Sequence, residues 1–302
     1  MNKTKAINRL FLCTIIWVLG TSVYIGWLPF TGNLTMEQLM LLSQILYLIP
    51  VLVFMIKNRT TPAEWMPFRR LKLSVIVMTM LYTLLLLPLV TLLNLISMLF
   101  VENVVAASQA KLASNPIWMN LLLVAGVPAL FEEFAFRGFY YHGYRQRGVW
   151  CAILGSAFAF GLMHMNFNQF GYACALGIAF GLLLEATGSI FATMLAHFTI
   201  NSWSVIMTAV TQSSGEVTTA AKTALPFEIM AAAISVYIVL AAVGTCLAGV
   251  VLIWIAKRCG RLEHLKWCFR RRERKPGQPR TIVTPAFIAA LVIVVVYMVF
   301  IA

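Results

Sequence analysis

Two adjacent glutamates and an arginine, Glu132, Glu133 and Arg137, stand inside the apolar run "ALFEEFAFRGFYYHGYRQR" at residues 129–147. His164 stands in "FAFGLMHM", and His197 and Asn201 stand in "LAHFTIN". A carboxylate and an imidazole can polarise and deprotonate a water, while a second imidazole and an amide can donate hydrogen bonds to a developing oxyanion. The set therefore supports hydrolysis without an activated serine or cysteine. Glu132, His164 and His197 are also acceptable zinc ligands. Their spacing is not H-E-x-x-H, and they come from three separate stretches, so the residues alone leave both forms of water activation open. Glu133 and Arg137 are four residues apart, as are His197 and Asn201, which places each pair on one helix face.

The elements that must position these groups are membrane helices. The chain has 302 residues, 61% of them hydrophobic and only 11% charged, far from a soluble domain. Apolar runs near the 20 residues that span a bilayer occur at 10–30, 39–56, 73–100, 117–141, 149–165, 167–187, 190–210, 227–255 and 283–302. We expect an all-α, polytopic bundle of about nine spans forming one integral membrane domain over residues 1–302. Its core is expected at 117–206 and a basic loop at 257–280. The basic start "MNKTKAINR" precedes an apolar run that is long for a signal peptide and lacks a small-residue cleavage site, so it reads as a retained anchor.

The net charge of +13 invites a nucleic-acid reading, which its distribution removes. With the N-terminus inside, twenty of the 23 Lys and Arg fall in cytoplasmic segments, and only Lys111 and Lys222 fall outside. That asymmetry is the positive-inside rule, and it assigns Arg145, Arg147 and the tract 257–280 to the cytoplasm, with anionic lipid as the tract's expected partner. The six cysteines sit singly, without a C-x-x-C pair. No Gly-rich phosphate loop or internal repeat is present, which argues against an ATP-driven pump and a repeat-built transporter.

Ionisable groups within spans are costly and mark candidate sites. Counting helical rise from the cytoplasmic ends places Glu133, His164 and His197 within about 10 Å of one another in depth. A single structural ion pair would use one Glu and Arg137 and leave a second Glu and two histidines unexplained.

"EEFAFR" fits E-E-x-x-x-R, "FGLMH" from Phe160 fits F-x-x-x-H, and "HFTIN" fits H-x-x-x-N. In this order on three successive apolar segments they resemble the motifs of the CAAX protease and bacteriocin-processing family of intramembrane proteases, which includes type II CAAX prenyl endopeptidases. The resemblance covers about residues 117 to 206. It implies that Glu132 and His164 activate the water, that His197 and Asn201 hold the oxyanion, that Glu133 and Arg137 orient and neutralise the site, and that Phe160 packs one turn below His164. The family has been described both as metalloproteases and as glutamate-dependent proteases. Asn201 is a poor zinc ligand and a good oxyanion donor, so the expectation favours chemistry without a required cofactor, zinc being the alternative. The substrate class implied is a membrane-associated or lipidated peptide, whether CAAX-type, bacteriocin or signal peptide. The short loops and charge asymmetry favour a bacterial plasma membrane. Two rivals are a non-enzymatic bacteriocin-immunity or binding protein on the same scaffold, and a transporter with an intramembrane charge relay, for which paired broken helices are lacking.

Overall fold

The computed structural model describes residues 3–27, 34–103, 112, 114–213, 226–270 and 282–300. Among these residues every regular element is helical. In chain order, besides the one-turn helix Pro62–Trp65, they are α1 (Lys3–Trp27), α2 (Met36–Asn58), α3 (Leu73–Ser97), α4 (Ile117–Arg147), α5 (Val149–Met163), α6 (Phe167–Thr187), α7 (Ile190–Ser213), α8 (Phe227–Arg258), α9 (Leu262–Phe269) and α10 (Pro285–Phe300).

Seven of them, α1 to α4 and α6 to α8, are long and apolar enough to cross a membrane. The other two expected spans are present as shorter apolar helices, α5 with 15 residues and α10 with 16. At about 1.5 Å per residue these measure roughly 22–24 Å, short of a hydrocarbon core of about 30 Å. Residues 271–280 of the basic tract and most of the 211–226 loop lie outside the described residues.

The packing is inverted relative to a water-soluble bundle. On α8 the face turned outward carries Val236, Val239, Val243, Leu247 and Val250, while Ala241, Gly244 and Ala248 turn inward. Branched aliphatics cost nothing against lipid, and small inward residues let helix backbones approach closely. The same device joins α5 to α6. A Cβ at Gly177 would lie 2.7 Å from that of Ala157, so only glycine permits this approach.

Two prolines break regularity where the site is built. Pro88 follows an interruption of α3, whose helical stretches run Leu73–Leu84 and Leu87–Ser97. Within α4, the α-helical stretch Val127–Glu133 lies between two π-helical stretches, Leu121–Gly126 and Phe134–Tyr140. Pro128 has no N–H to give to the carbonyl four residues earlier, that of Val124, and its ring crowds that oxygen. The wider π turn accommodates the clash, and π turns in helices recur at functional sites.

At the opposite end from the breaks, Glu185 at the close of α6 gathers the chain. Arg145 meets its carboxylate twice (Nε–Oε1 2.9 Å, Nη2–Oε2 3.3 Å), His264 of α9 donates to Oε2 at 2.5 Å, and Tyr141 donates to Oε1. The Arg261 guanidinium reaches Oε2 at 3.8 Å and the Glu185 carbonyl at 2.8 Å. Cys268 Sγ lies 3.9 Å from Oε2 and 3.8 Å from His264 Nε2. Two guanidinium groups already neutralise this carboxylate, so the cluster is a clasp that fastens α9 to α4 and α6, remote from the three motifs.

Candidate active site

Adjacent residues on a helix point about 100° apart, so Glu132 and Glu133 cannot share an environment. Glu133 is fully buried, as is Arg137, and the two form an ion pair at 2.9 Å (Oε1 to Nη1). The guanidinium Nε and Nη2 have no hydrogen-bond acceptor among the described residues. The guanidinium instead lies over aromatic rings, 4.5 Å from the centroid of Phe160 and 5.3 Å from that of Phe180. An arginine held this way is stabilised by charge and by the ring quadrupoles together.

The histidine of α7 connects the two glutamates. His197 Nδ1 stands 2.9 Å from Glu133 Oε1, and because a carboxylate only accepts, this nitrogen carries the proton. Its Nε2 is 3.7 Å from Glu132 Oε2. Glu132 keeps 14% of its side-chain surface accessible, and it lines a cavity of about 590 Å³ together with His164, His197 and Asn201. Buried Glu133 thus sets the orientation of His197, and partly open Glu132 faces the space where a substrate can enter.

His164 stands at the end of the fifth apolar run. It caps the C-terminus of α5, followed by Met165 in the left-handed region (φ 51°) and by Asn166, whose side chain accepts from Gln169 N at 2.8 Å to start α6. A non-glycine residue there costs about 1–2 kcal/mol, which the tight α5–α6 turn imposes next to the site. His164 Nδ1 is 2.9 Å from the Phe160 carbonyl, an acceptor, so Nδ1 is the donor and Nε2 presents its lone pair. The Phe160 ring packs edge-on against His164, with centroids 4.9 Å apart, one turn away as the resemblance implies.

Asn201 lines the same cavity, but its amide nitrogen is 3.0 Å from the Val124 carbonyl, the oxygen that Pro128 releases. One of its two N–H groups satisfies a broken helix; the other remains for a ligand. The structure thus brings Glu132, His164, His197 and Asn201 to one cavity, with Glu133 and Arg137 buried behind them, and it adds a structural tie for Asn201.

A residue the sequence reading passed over is Gln44 of α2. Its Nε2 donates to Glu132 Oε1 at 3.0 Å. The signal available was a lone amide in "LSQILYL", an apolar run; a census restricted to ionisable groups misses it.

Zinc places strict demands on the three candidate ligands. Bonds of about 2.0–2.2 Å in a tetrahedron set ligand atoms roughly 3.4 Å apart. Glu132 Oε2 and His197 Nε2 approach this at 3.7 Å. The ligating atoms of Glu132, His164 and His197 do not, however, all come within 4.8 Å of one another; among the described residues only Glu185, His264 and Cys268 do so. The three motif residues as arranged do not fit a closed zinc shell.

Among the described residues every element is helical, seven helices are able to cross a membrane, and a carboxylate–imidazole centre supplied by α4, α5 and α7 opens onto a cavity lined from α2 to α7, which defines an integral membrane protein with a polar site inside its bundle. Residues 113–203 match the family model of the type II CAAX prenyl endopeptidases, Rce1-like, which bears out the resemblance carried by the three motifs. The match spans under a third of the chain and contains all six site residues. No curated protein and no solved structure matches the chain.

Proposed function

We propose that the chain is an intramembrane endopeptidase that cleaves a membrane-associated peptide with a water activated by Glu132 and His164. The observation that carries this reading is the division of labour between the adjacent glutamates. Glu133 is consumed by Arg137 and His197, whereas Glu132 opens onto the 590 Å³ cavity beside the free Nε2 side of His164.

In the step so assigned, Glu132 takes a proton from water as the oxygen attacks the scissile carbonyl carbon. The oxyanion is held by the second N–H of Asn201 and by His197 Nε2, which is a donor in the imidazolium form that its two flanking carboxylates would neutralise. His164 Nε2, a lone pair at the outset, accepts a hydrogen bond from the attacking water, then takes the proton that Glu132 removed and passes it to the departing amine as the C–N bond breaks. Arg137 and Glu133 hold His197 in register from beneath. Because the motif donors do not close around one point, no step is routed through zinc.

The cavity wall of Leu87, Val90, Leu176, Ile200, Trp203 and Met207 suits a lipidated or strongly apolar peptide segment, CAAX-type or otherwise. The charge asymmetry supports nine crossings with the N-terminus cytoplasmic, α5 being short within the bundle and α10 short at its edge beside α1, in a bacterial plasma membrane. The test is cleavage by the purified protein in liposomes of a matched panel of prenylated, acylated and unlipidated peptides. Product from at least one member that disappears in Glu132→Gln supports the reading; equal product from Glu132→Gln removes it.

A further inference from the structure

A second, smaller cavity of about 180 Å³ lies against the far side of the same groups, lined by Glu132 and His164 and by Gln44, Tyr47, Val18 and Met163. Two of its lining side chains carry polar atoms that are buried yet have no hydrogen-bond partner among the described residues, Gln44 Oε1 and Tyr47 Oη. Tyr47 is only 6% exposed. Buried polar atoms are nearly always satisfied by protein or by ordered water, and leaving one bare costs about 1–3 kcal/mol. The two side chains that carry these atoms line one space, and water held there is a partner within their reach. At about 30 Å³ per molecule the space takes roughly five or six waters, and Glu132, His164, Gln44 and Tyr47 supply the several polar partners that buried water requires.

We propose that this cavity is a water-holding chamber that feeds the hydrolytic site, with Gln44 and Tyr47 of α2 as positioning residues, which rests on the proteolytic reading only for its use in catalysis. Gln44 Nε2 fixes one oxygen of Glu132 at 3.0 Å, and Gln44 Oε1 accepts from the water whose other proton Glu132 removes. Tyr47 Oη holds the next water behind it. The large cavity then takes peptide while the small one takes solvent, and Glu132 and His164 form the wall between them. A hydrolase in lipid must separate these two routes, since an apolar chain filling the only entrance would exclude its co-substrate. Both residues lie on α2, outside the segment matched by the family model.

Two measurements test the chamber. X-ray hydroxyl-radical footprinting of the full chain in liposomes marks side chains beside bound water. Tyr47 should be oxidised several-fold faster than Tyr140 and Tyr144, which are equally buried but bonded to Thr14 and Asn8, and Val18→Phe, which fills the chamber, should remove the difference. This readout needs no substrate, so it decides the water site even if no peptide is cleaved. In the cleavage assay Tyr47→Phe, which deletes one oxygen from a residue lining only the small cavity, should lower kcat about ten-fold with KM within two-fold. Gln44→Met should lower kcat in the native protein and change nothing further in Glu132→Gln. Tyr47 labelled no faster than Tyr140 overturns the chamber, and so does a kcat within two-fold of the unmutated chain for both variants. A rise in KM alone would instead make α2 a substrate contact and also overturn it.

Discussion

The Asn201 amide nitrogen lies 3.0 Å from the Val124 carbonyl oxygen, the acceptor that Pro128 strips of its helical partner. An unsatisfied carbonyl in a membrane interior costs more than one that water can reach, so Asn201 has a structural duty beside any chemical one. Asn201→Ala should lower stability by about 1–3 kcal/mol, and the loss should shrink in a Pro128→Ala background, where residue 128 regains an N–H for Val124. Thermal unfolding in detergent of the four proteins of this cycle measures the coupling. Additive losses would show that Asn201 does not serve the broken turn.

Glu132 and Glu133 should separate activity from stability. Glu132→Gln keeps the shape and the Gln44 contact, so melting should be unchanged while cleavage is lost. Glu133→Gln leaves Arg137 buried without its counter-charge, which costs about 3–5 kcal/mol in comparable settings, so yield and melting temperature should fall with activity. Arg137→Lys keeps the charge but loses the planar stacking over Phe160 and Phe180 and should fall between. A well-folded, inactive Glu133→Gln would move that residue into the chemistry.

The six charged and polar motif residues were legible because an ionisable group in an apolar run has few reasons to be there, and helical spacing correctly paired Glu133 with Arg137. What separates Glu132 from Glu133 is not local: it depends on α7 delivering His197 to one carboxylate and leaving the other to the cavity. The π turn Leu121–Gly126 follows from Pro128, visible in the sequence, but the donor that caps the freed Val124 carbonyl, Asn201, arrives from α7. Helix periodicity carries His164 to the end of the fifth apolar run, but the left-handed Met165 turn that stops α5 beside the site is not visible in it. Gln44 and Tyr47 are ordinary residues of an amphipathic-looking span until two cavities are seen to meet at Glu132. Likewise nothing in the sequence singles out Glu185 at the end of its apolar run, because its partners Arg145, Arg261 and His264 converge only through folding.

That convergence predicts a slow thiol. Cys268 of α9 is buried, and burial first, then the neighbouring Glu185 carboxylate, pushes its thiol up to about 11. In a variant retaining only this cysteine, maleimide labelling at pH 8 should be slow and should accelerate about ten-fold per pH unit, since the thiolate is the reactive form. Glu185→Ala removes the anion and its contacts to Arg145, Tyr141, His264 and Arg261, so labelling at pH 8 should rise at least ten-fold as α9 loosens. Equal rates in the two proteins would mean that α9 is held by its apolar face alone, through Leu265.

Metal dependence gives the last prediction, because the same three side chains can serve as zinc ligands or as base and donors. Zinc needs one point about 2.0–2.2 Å from Glu132, His164 and His197, and their ligating atoms do not all lie within 4.8 Å of one another. His164 is tied by Nδ1 to the Phe160 carbonyl and His197 by Nδ1 to Glu133, so bringing both Nε2 atoms to one point requires moving α5 against α7 or giving up one of these bonds. Asn201 beside His197 is a hydrogen-bond donor and a poor zinc ligand. Cleavage should therefore persist after exhaustive chelation, and active protein should carry zinc well below one ion per chain. Any zinc found should be tested against His264→Ala as well as His164→Ala, since the Glu185 clasp is the other place where His, Cys and Glu meet. Near-stoichiometric zinc that is lost in His164→Ala, whose removal abolishes cleavage and whose return restores it, would replace the proposed water activation with a metalloprotease in which α5 and α7 close around the ion.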